Sequence, residues 1–341
     1  MNKVAQLSNE EHHELFQQTA NNRGINLQII EKDFWVCWTL KQLFELPKIG
    51  EYLIFKGGTS LSKVYGIIER FSEDIDVAID RKYLSFTDEN ELANLSRNKL
   101  NQKIEELDKI CQEIVEKELL NLLGESFSKT LSELSWQLKM DNDDPYGQTI
   151  LFEFPRMTQN APLDYIKPIV KIELGARPQN QPIERHKIQS YSAEDFPQIF
   201  ENPTTEITVL SAERTFWEKA TILHDQFHRP ENYKTADRIS RHYYDFYQLV
   251  NSEIGKKALE NIDLLKSVVE NKKMFFYRAG ANYDDALIGK LHLIPNENRL
   301  DALKKDYEKM NQMFFSEPPK FETILQKLSV IEKEINQKLT N

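Results

Sequence analysis

Cysteine is nearly absent from this chain of 341 residues. Cys37 and Cys111 stand far apart and fit no metal-ligand spacing. That excludes a disulfide framework and a cysteine-based zinc module, and two free thiols in a reducing compartment are expected. No apolar run approaches the roughly 20 residues that span a bilayer, and residues 1–24 are polar without a secretory core, so no membrane partner and a cytoplasmic setting are expected. Basic charge is not in excess: 44 Lys and Arg face 54 Asp and Glu, a net charge of −10, which argues against a broad nucleic-acid coat but leaves a local basic groove open. There is no P-loop, no Gly-x-Gly-x-x-Gly, no Gly-x-Ser-x-Gly elbow and no internal repeat. A hydrophobic share of 40% beside 29% charge is that of a globular protein, in one large domain or two ordinary ones.

What is there begins with helix periodicity. "NLQIIEKDFWVCWTLKQLFEL", residues 26–46, reads as a helix with its aromatics on the buried side, ended by Pro47. "EYLIF" then reads as a buried strand and "GG" as a turn. Leu61, Val64, Tyr65, Ile68 and Phe71 recur at helix steps, predicting a helix over 59–71, and "IDVAI" as a second strand follows. Residues 90–139 are charged and helical, an insertion or long excursion. "QTILFEFP" and "IKPIVKIELGARP" return to strand composition. From residue 210 onward the pattern is helical, with "SAERTFWEKATILHDQFH" and "TADRISRHYYDFYQLV" as two helices. The expected fold is α/β (α+β): residues 1–205 form a mixed sheet with flanking and N-terminal helices and a helical insertion near 90–140, and residues 206–341 form a mainly helical domain.

The stretch from Tyr52 to Asp80 carries the chemistry. Asp74 and Asp76 share one face of a strand, side by side, and repel. A glycine turn into a helix suits a phosphate, and paired carboxylates suit a divalent cation that removes their repulsion. Each half alone reads as a tight turn or a solvated strand face; together they outline a site for a metal-bound triphosphate.

"GGTSLSKVYG" followed by "RFSEDIDVAI" resembles the nucleotidyltransferase superfamily with the DNA-polymerase-β-like fold, and within it the AbiEii/AbiGii toxin group of type IV-like toxin–antitoxin systems. The likeness extends to "EKDFWVCWTLKQLF", "LSAERTFWEKATILH" and "RHYYDFYQL", spanning most of residues 26–250. Fifteen residues separate Gly58 from Asp74, toward the long end of the superfamily spacing, and Gly58 stands where many members have serine. The resemblance implies that Gly57, Gly58, Thr59 and Ser60 cradle phosphate, that Asp74 and Asp76 hold Mg2+ or Mn2+, and that Arg70 and Ser72 order the start of the strand. Glu173 in "VKIELG" is either the third carboxylate of many members or a half-exposed strand acid. Lys219 and Asp245 match a later lysine and aspartate of the group: one neutralises nucleotide phosphates, the other positions the acceptor or takes its proton. Read without the family, Lys219 is a helix-surface charge and Asp245 an i,i+4 partner of Arg241. If the pair completes the site, the two domains close over a nucleotide cleft.

Two other signals stand outside this stretch. His224 and His228 have zinc-pair spacing, but no Glu follows the first and no third ligand is evident, so no metal is expected there. Residues 228–244 interleave Arg229, Lys234, Arg238 and Arg241 with Tyr233, Tyr243 and Tyr244, either a surface for RNA or an amphipathic helix with exposed arginines. The resemblance implies transfer of NMP from an NTP to an RNA acceptor, at a tRNA 3′ end, restrained by a separately encoded antitoxin. A protein-modifying NMP transferase and a catalytically inert nucleotide-binding module are the alternatives. Nothing in the residues selects the nucleobase.

Overall fold

The structure, a computed structural model, describes residues 1–86, 92–156 and 167–340. The chain divides into two units: Met1–Val64 with Phe71–Leu210, and Tyr65–Arg70 with Ser211–Asn341.

The first unit opens with α1 (Asn2–Ala5), α2 (Asn9–Arg23) and α3 (Leu27–Phe44). Asn26 starts α3 by accepting the Gln28 N–H at 2.8 Å, and α3 ends three residues before Pro47. Its aromatic side anchors the core. The Trp38 ring lies 4.7 Å from that of Phe127, which lies 4.7 Å from Phe152, and Trp35 stacks on Phe154 at 5.7 Å. Edge-to-face and offset contacts of this kind add to the burial of large rings.

Against α3 lies a seven-stranded mixed sheet of order β3-β4-β5-β2-β1-β7-β6, formed by β1 (Leu53–Lys56), β2 (Ile75–Ile79), β3 (Gln137–Met140), β4 (Thr149–Glu153), β5 (Val170–Gly175), β6 (Ile183–Ile188) and β7 (Thr205–Leu210). β2 pairs antiparallel with β1 and parallel with β5, which makes it the central strand. Ile75, Val77 and Ile79 are buried as their alternation predicts. β3, β6 and β7 were not foreseen. The charged excursion is α5 (Arg97–Ile114), a π turn over Val115–Leu119 and α6 (Leu120–Leu131); its expected start at residues 90 and 91, and residue 166 ahead of β5, lie outside the described residues. Tyr191–Asp195 forms the short α7.

The helix expected over 59–71 is corrected. α4 begins at the glycine turn itself and ends at Lys63 (Gly57–Lys63). Tyr65–Arg70 belong to the second unit, where Arg70 makes a β-bridge to Phe314, and the Phe315 N–H donates to the Glu69 carbonyl at 3.1 Å.

In that second unit, α8 (Ala212–Phe227) starts at Ser211, whose hydroxyl accepts the Arg214 N–H, and packs against α9 (Ser240–Val250), α10 (Glu253–Glu260) and α11 (Ile262–Phe275). The helix expected over 235–250 begins only at Ser240. There the buried Asp306 of α12 (Leu300–Lys309) accepts the Arg238 and Ser240 N–H groups at 2.7 and 2.8 Å and caps α9. α13 (Phe321–Thr340) closes the chain. No helix among the described residues is long and apolar enough to cross a membrane.

Candidate active site

The glycine turn has a specific geometric cause. Gly57 has φ +80°, and a Cβ placed on it would stand 2.0 Å from Asp76 Oδ2. Only a residue without a side chain lets the turn approach the carboxylate so closely. The two hydroxyls of the turn face inward. Thr59 donates to the Asp74 carbonyl, its oxygen lies 3.0 Å from that of Ser72, and Ser60 donates to the Gly57 carbonyl at 2.9 Å. Thr59 and Ser60 are fully buried, so their hydroxyls hold the turn onto the start of β2 and leave the glycine backbone as the part of the turn they do not engage from outside.

Sheet register lines up a row of polar residues. Lys56 of β1 pairs with Asp76, Asp76 with Glu173 of β5, and Glu173 with Thr149 of β4. Residues directly opposite share a face, so Asp76 stands between a lysine and a second carboxylate, with Asp74 two residues before it. Burial, then the Glu173 charge, push the Asp76 carboxyl up to about 7 against the pull of Lys56; Asp74 and a hydrogen bond with Glu173 raise it further. Asp76 is thus still partly protonated near neutral pH. Lys171, also on β5, reaches Glu173 at 2.9 Å and Asp141 at 3.7 Å. Beside Glu173 opens a cleft of about 330 Å³ lined by Asp141, Tyr146, Thr149 and Lys171.

The three carboxylates offer hard oxygen ligands and mutual repulsion that a divalent cation relieves, which fits Mg2+ or Mn2+. No group of three His, Cys, Asp or Glu stands at ligand spacing among the described residues.

Lys219 and Asp245 meet each other in the second unit. Asp245 is fully buried and accepts a fork from Arg70, Nε at 2.7 Å and Nη2 at 2.8 Å, and the Lys219 ammonium at 2.8 Å. Burial alone would raise this carboxyl, but Arg70 and then Lys219 hold it well below the usual carboxylate range. Burial lowers the Lys219 ammonium against the pull of Asp245, helped by Arg70 and Arg241. Lys219 Nζ also lies 3.5 Å from His242 Nδ1. Lys219 is therefore a buried group and not a surface charge. The primary partners of Asp245 are Arg70 and Lys219 rather than Arg241, and Arg70, expected to order the start of β2, forks onto Asp245. Ser72 does serve that start.

The basic–aromatic segment reads differently in three dimensions. Tyr243 and Tyr244 are buried and unable to stack on a base, whereas Tyr233 is exposed beneath the Arg229 guanidinium at 4.7 Å. His224 engages both ring nitrogens, Nδ1 accepting the His292 N–H at 3.1 Å and Nε2 at 3.0 Å from the Asn282 carbonyl, which leaves neither for a metal.

Sequence reasoning missed Lys56, Lys171 and the role of Arg70. The lysine before "GGTS" and the Lys171–Glu173 alternation were visible signals. The pairing of Arg70 with Asp245 was not.

The model of the family described as "Nucleotidyl transferase AbiEii toxin, Type IV TA system" matches residues 38–327. Among solved structures, the nucleotidyltransferase toxin MenT4 from Mycobacterium tuberculosis H37Rv is similar over 98% of this chain and 100% of that one, at 14% identity and a TM-score of 0.47. A comparison with curated proteins gave no match.

Proposed function

The chain belongs to the AbiEii nucleotidyltransferase toxin family and is a nucleotidyltransferase, and from that premise we propose that it transfers NMP from an NTP to an RNA acceptor, the 3′ end of a tRNA. An acceptor hydroxyl gives up its proton to solvent as its oxygen attacks the α-phosphorus, a P–O bond forms, and pyrophosphate leaves with the electron pair of the broken P–O bond. The backbone at Gly57 and Gly58 receives the triphosphate, with Thr59 and Ser60 fixing that backbone from within. Asp74, Asp76 and Glu173 would hold Mg2+ or Mn2+, which supplies charge neutralisation at the phosphates and activation of the acceptor oxygen. Lys56 tempers the negative row on one side and Lys171 on the other. Lys219 and Asp245 come into the proposal through the family's later lysine and aspartate, with Arg70 added as the group that keeps Asp245 ionised. A separately encoded antitoxin restrains the activity.

The observation that carries this reading is the Asp76 carboxylate, lodged against the Gly57 turn and hydrogen-bonded to Glu173, because a fold has no structural use for two acids forced together there. The test is incubation with Mg2+, labelled NTPs and total RNA. Label in tRNA that RNase removes and that vanishes in Asp76→Asn is the expected result. Label that survives RNase on a protein would move the acceptor to the protein-modifying reading.

A further inference from the structure

Along α3 the buried side is apolar except for Thr39, Gln42 and three consecutive ionisable residues, Glu31, Lys32 and Asp33, all buried, the last two at 3% and 1% exposure. Taking a charge out of water costs several kcal/mol unless a partner meets it. Lys32 Nζ donates to Glu73 Oε2 at 2.6 Å and to the Lys167 carbonyl at 2.7 Å. Asp33 Oδ1 meets Lys63 Nζ at 2.7 Å, and its Oδ2 accepts the Tyr191 N–H at 2.7 Å. The Lys63 ammonium also sits 3.7 Å over the Tyr191 ring.

The partners are placed tellingly. Glu73 immediately precedes Asp74, and Lys63 is the last residue of α4, which begins at Gly57. Successive residues on a helix diverge by about 100°, so two adjacent side chains reach two separate elements. One helix therefore grips the carboxylate strand where it starts and the glycine-turn helix where it ends. Apolar residues of equal volume would stabilise such sites as well or better, so stability alone gives no reason for the charges. An ion pair with a second, directional hydrogen bond adds a fixed distance and angle, which a site for phosphoryl chemistry needs.

We propose that Lys32 and Asp33 are positioning residues for nucleotidyl transfer. Lys32, through Glu73, sets where the Asp74 carboxylate stands. Asp33, through Lys63, sets how α4 presents the Gly57 turn. The inference rests on the reading of Asp74, Asp76 and the glycine turn as the active site.

The test compares the paired apolar variants Lys32→Met/Glu73→Met and Asp33→Leu/Lys63→Met with the wild-type chain. The readouts are thermal stability, Mn2+ binding by electron paramagnetic resonance without nucleotide or acceptor, and the kcat and KM for NTP. We expect both pairs to fold with a Tm near wild type. The first should weaken Mn2+ binding at least tenfold and cut kcat. The second should raise the KM for NTP at least tenfold while leaving Mn2+ binding within threefold. Folded pairs with wild-type Mn2+ binding and kinetics, or losses that merely track Tm, overturn the inference. Should a pair fail to fold, Lys32→Arg and Asp33→Glu decide: each keeps its charge but displaces its partner, so at least threefold losses in the same separate readouts support the inference and wild-type values overturn it. A wild-type chain that binds Mn2+ but transfers no nucleotide overturns the proposed function, and Mn2+ binding by the first pair then decides whether Lys32 places Asp74. One that binds no Mn2+ overturns both.

Discussion

Replacing Asp76 by Asn should abolish transfer and, without metal, make the protein more stable. The native carboxyl is pushed from its ordinary 3.8 to about 7. A carboxyl raised in this way holds its proton more tightly folded than unfolded. Its penalty is therefore absent below about pH 3.8, grows as pH rises toward 7 and is constant above that. Each factor of ten is worth about 1.4 kcal/mol, so the full penalty is on the order of 4 kcal/mol, and roughly half of that once partial water access to this half-buried group is allowed for. For a unit of this size, about 2 kcal/mol corresponds to a Tm shift of roughly 4–8 °C. The assay is thermal unfolding of both proteins in EDTA between pH 4.5 and 8.5. Asp76→Asn should exceed the wild type by that margin at pH 8, and by less than half of it at pH 5. Added Mg2+ should raise the wild-type Tm at pH 8 and leave the variant nearly unmoved. A variant less stable than wild type at pH 8, or a gap independent of pH, would refute the assignment of a repulsive Asp76–Glu173 pair.

Three further outcomes are expected. Asp245→Asn leaves Arg70 and Lys219 buried beside a neutral amide, which should cost about 3–5 kcal/mol by thermal or urea unfolding; because the native carboxyl lies far below its ordinary value, the wild type should keep this stabilisation above pH 4 and lose it on further acidification. Gly57→Ala forces a Cβ onto Asp76 Oδ2 at an unfavourable φ, and should lower both stability, by about 1–3 kcal/mol, and kcat, read by unfolding and by label incorporation. His224, which burial lowers to about 4, is held neutral by its accepted N–H, so stability present above pH 6.5 should fall by about 3 kcal/mol as pH drops toward 4, and His224→Gln should flatten that part of the Tm–pH curve.

The parts of the site that were legible in the sequence are those whose signal is local. Alternation of Ile75, Val77 and Ile79 with acids fixes β2 and its polar face, and the three-and-four spacing of apolar residues fixes α3. The same spacing misled at Val64–Phe71, because Ile68 and Phe71 are buried for another reason than helix amphipathicity. β6, "IERHKI", lies at a sheet edge and is charged along most of its length, so it has no alternation to read. β7, "TEITVL", does alternate, with Thr205, Ile207 and Val209 inward, but it runs straight into the helical pattern that starts at residue 211. Glu173 could not be paired with Asp76 from sequence because β5 lies beside β2 across a non-consecutive sheet order. The buried charges of "EKDFW" looked like an ordinary helix start, since their partners Glu73 and Lys63 lie far along the chain.

The excursion of Tyr65–Arg70 into the second unit has a consequence for how the protein is made. A ribosome delivers Arg70 long before Asp245, 175 residues later. At roughly 5–20 residues per second, that is an interval on the order of ten to thirty seconds during which a side chain destined for full burial waits as a solvated cation. Residues 71–74 lead on from Arg70 to β2, so the segment Tyr65–Arg70 emerges early while the rest of its own unit, Ser211 onward, emerges last. Synthesis order alone thus defers completion of the second unit, and a nascent chain halted near residue 210 would carry Asp74, Asp76 and Glu173 while Arg70 still lacked Asp245.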